Sequence, residues 1–136
     1  MRPLRIVVDT NVLVSALLHP DRTPDRALAA LRAHRCIVLH DPRIVAEWRE
    51  VLSRKKFRGI DPARAAEQLE ALLALGEPVT NVTPFEGEMT DAGDVPFVEV
   101  ALAGRADALL TGNVRHYPAD LGFEVMPPAT LLLRLD

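Results

Sequence analysis

Three acidic residues interrupt apolar sequence where a charged side chain is costly to bury. Asp9 directly follows Ile6-Val7-Val8 and precedes Thr10-Asn11, and a carboxylate in that position is unfavourable unless it is paired or holds a metal. Glu47 lies in a segment from Pro42 to about Arg54 whose apolar residues are Ile44, Val45, Trp48, Val51 and Leu52. At helical spacing Glu47 is about 60° from Ile44 and about 40° from Val51, at the edge of the apolar stripe, whereas Glu50 points away. Asp94 shares a face with Phe97, Val98 and Ala101, the spacing that turns inward on a helix. Each acid also has a plain structural reading: Asp9 or Thr10 and Asp94 cap helices, and Glu47 reaches solvent or a nearby Arg. Jointly they say more. Three carboxylates converging at one end of a sheet repel and raise one another's pKa unless a cation neutralises them. Oxygen-only ligands select Mg²⁺ or Mn²⁺ over zinc, and the chemistry implied is metal-assisted phosphodiester hydrolysis.

Further polar residues flank these three. Asp91, in Asp91-Ala92-Gly93-Asp94, reads as a solvated loop residue supporting Asp94. Leu109-Leu110-Thr111-Gly112-Asn113 repeats the pattern of an apolar run ending in polar side chains, so Thr111 and Asn113 are ligands, supporting donors or turn formers. Cys36, the single cysteine, sits in an apolar run with no base beside it and reads as core, as does Trp48. The four histidines, at 19, 34, 40 and 116, lack zinc-ligand spacing; His116 falls near the candidate site.

The elements that must position these residues are legible as alternation. Leu4 to Val8, Cys36 to His40, Ala108 to Thr111 and Phe123 to Met126 are short, nearly all apolar and partly β-branched, as strands buried on both faces are. Pro78 to Val82 is a further candidate. Thr23-Pro24, Asp41-Pro42 and Asp61-Pro62 each place a capping side chain before a proline at a helix start. Ala65, Ala66, Leu69, Leu72 and Leu73 form one stripe, which Gly76 is expected to end as a C-cap. The predicted order is β-α-α-β-α-α-β-α-β-α-β-α, a mostly parallel sheet covered on both faces. In such sheets ligands bind beyond the carboxyl ends of the strands, where Asp9 and Thr111 emerge.

Composition sets the frame. A chain of 136 residues, 49% hydrophobic and 26% charged, is expected to form one globular domain, residues 1–136. The N-terminal run is expected to be neither a signal peptide nor a membrane span, because Asp9 and Asn11 interrupt it. One cysteine and no disulfide framework fit a cytoplasmic setting. The formal net charge of -3 has the wrong sign for holding nucleic acid by bulk electrostatics. Setting aside Asp9, Glu47 and Asp94, however, leaves sixteen acids against sixteen Lys and Arg. The proposed metal site thus accounts for the whole excess.

Together, IVVDTNVLVSAL, Glu47 on a mid-chain helix and DAGDVPFVEVALAGRADALLTGN resemble a PIN-domain nuclease from end to end, in the group related to VapC-type toxins. The resemblance implies a three-layer α/β/α sandwich around a parallel sheet of about five strands. It makes Asp9, Glu47 and Asp94 the acidic metal ligands, aligns the family's fourth position with Asn113, and leaves Thr10, Asn11, Asp91 and Thr111 as supporting residues. A neutral amide at Asn113 favours one tightly held Mg²⁺ or Mn²⁺, and Val95 replaces an acid common after the third ligand. The implied substrate is single-stranded RNA, with a small antitoxin and a second copy of the chain as partners and no membrane. RNA contact needs local positive charge, for which Arg49, Arg54, Lys55, Lys56 and Arg58 cluster beyond Glu47. Their structural alternative is a solvated helix end. Tyr117 and Phe57 are candidates for base stacking.

Two other classes compete. A catalytically degenerate PIN module would bind RNA or a protein without hydrolysis, a reading motivated by Asn113 and Val95. A haloacid-dehalogenase-type phosphatase also places an Asp after a hydrophobic strand, but needs a second acid where Asn11 stands and a downstream catalytic lysine. Of the Lys residues, Lys55 and Lys56 fall together in a helix-end loop.

Overall fold

A computed structural model describes residues 2–54 and 58–135. Among these residues five short strands, β1 (Arg5–Val8), β2 (Ile37–His40), β3 (Gly76–Pro78), β4 (Ala108–Leu110) and β5 (Glu124–Met126), form one sheet in the order β3-β2-β1-β4-β5. All four pairings are parallel. Ile6, Val7 and Val8 are buried on this central strand, as expected of a strand covered on both faces. The predicted strands therefore form, each trimmed by one residue, while the candidate at Pro78 to Val82 shifts back to Gly76–Pro78.

Among the described residues six α-helices surround the sheet: α1 (Thr10–Leu18), α2 (Thr23–Ala33), α3 (Pro42–Leu52), α4 (Pro62–Ala74), α5 (Val95–Ala103) and α6 (Pro128–Leu135). Parallel crossovers are right-handed, so the steps from β1 to β2 to β3 place α1 to α4 on one face. The return from β3 to β4 places α5 on the other, where it packs against β1, β2 and β4, while α6 joins α2. The result is an α/β/α sandwich with its switch point between β1 and β4. Among the described residues, no helix is long and apolar enough to cross a membrane.

Three local expectations are corrected. Asp41 and Asp61 do cap α3 and α4, accepting from the N–H groups of Ile44 and Ala63 at 3.1 and 2.9 Å. Thr23 does not cap α2; it is already helical, with Arg22 at the cap position and no side-chain cap bond. Gly76 is not a C-cap: Leu75 ends α4 and Gly76 opens β3. The helix predicted between β4 and β5 is only a 3₁₀ turn, Val114–His116. Pro118 follows after Tyr117, and Asp120 and Gly122 take positive φ of 60° and 91°, which breaks any helical run.

The reason for glycine at 76 is close approach. A Cβ there would stand 2.6 Å from His40 Nε2 and 2.9 Å from the Leu73 carbonyl oxygen, part of the backbone. Gly76→Ala is expected to lower unfolding free energy by about 1–3 kcal/mol in urea titrations, as overpacking does. Gly59→Ala, whose Cβ would meet only Leu18 Cδ2 at 3.6 Å, is expected to be neutral or slightly stabilising. Equal effects would contradict this account.

Candidate active site

The site is built where β1 and β4 end side by side. Val8 pairs with Leu110, the Asp9 N–H donates to the Leu110 carbonyl at 2.9 Å, and the Thr111 N–H donates to that of Met126 at 3.0 Å. This register sets Asp9 and Thr111 next to one another. Asp9 is 5% exposed and Thr111 fully buried. The Thr111 hydroxyl donates to Asp9 Oδ2 at 2.9 Å, and the Tyr117 hydroxyl donates to the same oxygen at 2.8 Å. Asp9 Oδ1 accepts a long bond, 3.4 Å, from the Asn11 N–H. The capping and buried-acid readings of Asp9 are thus both realised.

Asn11 ties the two strand ends together. Its Nδ2 donates to Thr111 Oγ1 at 3.2 Å, and its Oδ1 accepts from the Gly112 N–H at 2.9 Å. Thr111 Oγ1 also accepts from the Asn113 N–H at 3.0 Å. The Asn113 side chain itself lies at the exposed edge of this loop.

Glu47 arrives from α3. Trp48, fully buried, donates its indole N–H to the Val8 carbonyl at 3.3 Å, which anchors the helix over the end of β1. The neighbouring Glu47, half-buried, then accepts a hydrogen bond from the Thr10 hydroxyl. Glu50 lies outward and pairs with Arg54 at 2.7 Å.

Asp94 closes a 3₁₀ turn, Ala92–Asp94, that leads into α5. The capping reading fails here, because Asp91 caps the turn through the Gly93 N–H at 2.8 Å while Asp94 makes no side-chain cap bond. Burial first, then the charges of Asp9, Asp91 and Glu47, push the Asp94 carboxyl from its ordinary 3.8 up to about 6, against an opposing pull from His116. The Tyr117 hydroxyl is likewise pushed far up, by burial and then by Asp9 and Asp94, so it is a donor that keeps its proton. Among the described residues none of Asp9, Glu47 and Asp94 forms an ion pair.

Elsewhere on the same helices a bridge holds the acids' supports in place. Arg43, at the start of α3, contacts Asp41 at 2.8 Å and the buried Glu99 of α5 at 2.6 Å. Glu99 also accepts from the Phe85 N–H at 2.6 Å. Burial opposes ionisation of Glu99, but these bonds hold its pKa below the ordinary value. The helix that carries Glu47 and the helix that Asp94 leads into are thereby joined.

As to donor chemistry, carboxylate oxygens without a protein cation fit a hard divalent ion. As the side chains stand, however, no group of three His, Cys, Asp or Glu among the described residues is spaced to hold one. The field that couples the acids is present, and a closed ligand cage is not. Of the predicted basic cluster, Arg49 and Arg58 are exposed, Arg54 is committed to Glu50, and Lys55 and Lys56 lie outside the described residues, as does Phe57. Tyr117 is 7% exposed with its hydroxyl on Asp9, so it is not a free stacking platform. Arg115 is the basic side chain sequence reading missed: it lines a cavity of about 380 Å³ together with Tyr117 and Pro118. The available signal for Tyr117 was a lone aromatic in a loop of turn residues, since a buried tyrosine hydroxyl needs a partner.

The sequence model of the PIN domain matches residues 5–115. The chain belongs to the PIN-domain family. Among solved structures, this PIN domain is similar to a chain of VapBC2 from Rickettsia felis bound to a DNA fragment from their promoter, with a TM-score of 0.60 and 17% identity over 91% of this chain and 98% of that one. At that identity the likeness shows the fold. No curated protein matches the chain.

Over the interval from about pH 4 to about pH 6 the folded PIN domain keeps a proton on Asp94 that the unfolded chain has released. Stability of the metal-free protein should therefore fall as pH rises through that window. Asp94→Asn should remove the slope and stabilise the protein above pH 6, by about 1 kcal/mol once solvent screening at a half-buried group is allowed for. Carboxyl-carbon NMR titration should place the Asp94 midpoint near 6; an ordinary midpoint would contradict the coupling.

Proposed function

We propose that this PIN domain is a Mg²⁺- or Mn²⁺-dependent endoribonuclease and the toxin of a type II toxin–antitoxin pair. The observation that carries the reading is the gathering of Asp9, Glu47 and Asp94 at the β1/β4 edge, with hydroxyl donors on two of them and no ion pair on any among the described residues. Asp9, Glu47 and Asp94 would hold the ion. A bound divalent cation would supply charge neutralisation, an acidified water and stabilisation of the charge that develops on phosphorus oxygens. Half-buried Glu47 and Asp94 are freer to move than Asp9, so closing the set is a movement of those two side chains toward it.

The other side chains have distinct parts. Thr111 and Tyr117 fix the orientation of the Asp9 carboxylate, and Thr10 that of Glu47, as partners behind metal ligands do. Arg115, beside Tyr117, is placed to neutralise a substrate phosphate. Support for a protein partner comes from the likeness to a chain of a VapBC complex; a small antitoxin covering the acidic edge, and a homodimer, belong to the same proposal.

Cleavage of single-stranded RNA by the purified protein tests this. Activity should require Mg²⁺ or Mn²⁺ and stop with EDTA. Asp9→Asn and Asp94→Asn should each lower kcat/KM by on the order of 10²–10³-fold or more. Tyr117→Phe should cost about 10–100-fold, partly recovered by raising the metal concentration. RNA binding by wild type without cleavage at any metal concentration would favour the non-catalytic module instead. Cleavage undiminished by EDTA and by both acid substitutions would sink the metal assignment.

A further inference from the structure

A small cavity opens beside Asn11 and Asn113. It encloses about 210 Å³, with apolar walls from Val12 of α1, Pro24 of α2 and Pro128 of α6, and polar groups from Asn11, Ser15 and Asn113. Val12 and Pro128 are buried, Ser15 is half-buried and Asn113 is exposed at the mouth. Apolar faces with a few convergent polar groups are the usual build of a ligand site, and this volume lies below the range that suits drug-sized molecules. It suits one flat ring system.

The polar groups are held in place by the site itself. Asn11 is locked by Thr111 and the Gly112 N–H, at 3.2 and 2.9 Å. The backbone of Asn113 is locked by Thr111, at 3.0 Å. Its side-chain amide, exposed on the loop that lines the cavity, forms no hydrogen bond among the described residues, so both its donor and its acceptor are unspent. An amide offering a donor and an acceptor together matches the edge of a nucleobase, and single-stranded RNA is read by just such contacts to splayed bases packed on flat side chains.

We propose that this cavity is a nucleobase subsite for the nucleotide next to the scissile phosphate, with Asn113 and Ser15 reading the base edge and Val12, Pro24 and Pro128 packing its ring. The inference rests on the ribonuclease reading for the word scissile, and on the cavity alone for base binding. It makes Asn113 a specificity residue, and the chain of contacts from Asn113 through Thr111 to Asp9 sets the base one step from the acids.

Two measurements separate the two readings. In the first, backbone and side-chain amide resonances of the metal-free protein are followed on adding each of the four ribonucleoside 5′-monophosphates, with ribose 5-phosphate as control. The expected result is movement of Ser15 and Asn113 signals that differs between bases, is absent with ribose 5-phosphate, and is lost in Asn113→Ala and in Ser15→Phe, which fills the cavity. In the second, RNA oligonucleotides differing in one base beside the cut are compared by kcat/KM. Wild type should prefer one base by about fivefold or more, the least that a well-formed amide–base contact gives, and Asn113→Ala should flatten the preference to within about twofold. Base-dependent shifts without any cleavage would uphold the subsite and remove the ribonuclease reading. Cleavage with no base-dependent shifts, and with the same base preference in Asn113→Ala and Ser15→Ala as in wild type, would overturn the subsite alone. Neither shifts nor cleavage would overturn both.

Discussion

A carboxylate buried to 5% exposure at the end of the central strand is the constraint from which the rest of the site follows. Asp9 has no ion-pair partner among the described residues, and an ionised acid in that position is tolerated only if donors reach it. Two hydroxyls do, from Thr111 and Tyr117, onto one oxygen. Supplying them requires β4 to run beside β1 in the observed register and the loop after β4 to fold Tyr117 back under the strand ends. Asn11 then bonds both Thr111 and Gly112, so the turn after β1 and the turn after β4 become one unit. The switch point of the sheet is thus also its polar centre, where open parallel sheets place their ligands.

The two ends of the sheet handle acids differently. At the amino end Asp107 is held below its ordinary pKa chiefly by Arg2, and Glu77 below its own chiefly by Arg5, whose guanidinium also donates to the Gly104 carbonyl. Between the layers Glu99 is satisfied by Arg43 and the Phe85 N–H. At the carboxyl end Asp94 is pushed the other way, up to about 6, because burial and three neighbouring acids act on it with only His116 opposing. Asp107, Glu77 and Glu99 are thus each matched with arginine. The acids at the β1/β4 edge are left mutually repelling, a local conflict of the kind folded proteins keep at functional sites. A divalent ion there would bring the net charge from -3 to near -1, which weakens the objection that an acidic chain makes to RNA.

Much of this was legible in residue order, for reasons that differ by element. The run Ile6-Val7-Val8 could only be a strand buried on both faces, and the polar residue after it could only emerge at the carboxyl edge. Glu47 on the edge of an apolar stripe was a departure from an ordinary surface helix, and it does face inward to Thr10. The capping alternative for Asp94 fails because Asp91, three residues earlier, caps the same turn. Tyr117 was read for the wrong part, base stacking in place of a hydrogen bond to Asp9, and Arg115 was passed over, since the placement of both depends on how a loop without periodicity turns back after β4. The bridge from Arg43 to Glu99 joins residues far apart in sequence, and pairing of that kind leaves no local pattern.

The central claim is that Asp9, Glu47 and Asp94 share one divalent ion, and a crystal structure of the chain grown with Mn²⁺, located by its anomalous scattering, tests it most directly. The account predicts a single strong peak at the β1/β4 edge with oxygens of all three carboxylates about 2.0–2.2 Å away, the spacing of a small octahedral cation. A fully occupied ion elsewhere, or a peak at this edge that lacks either Glu47 or Asp94, would contradict it.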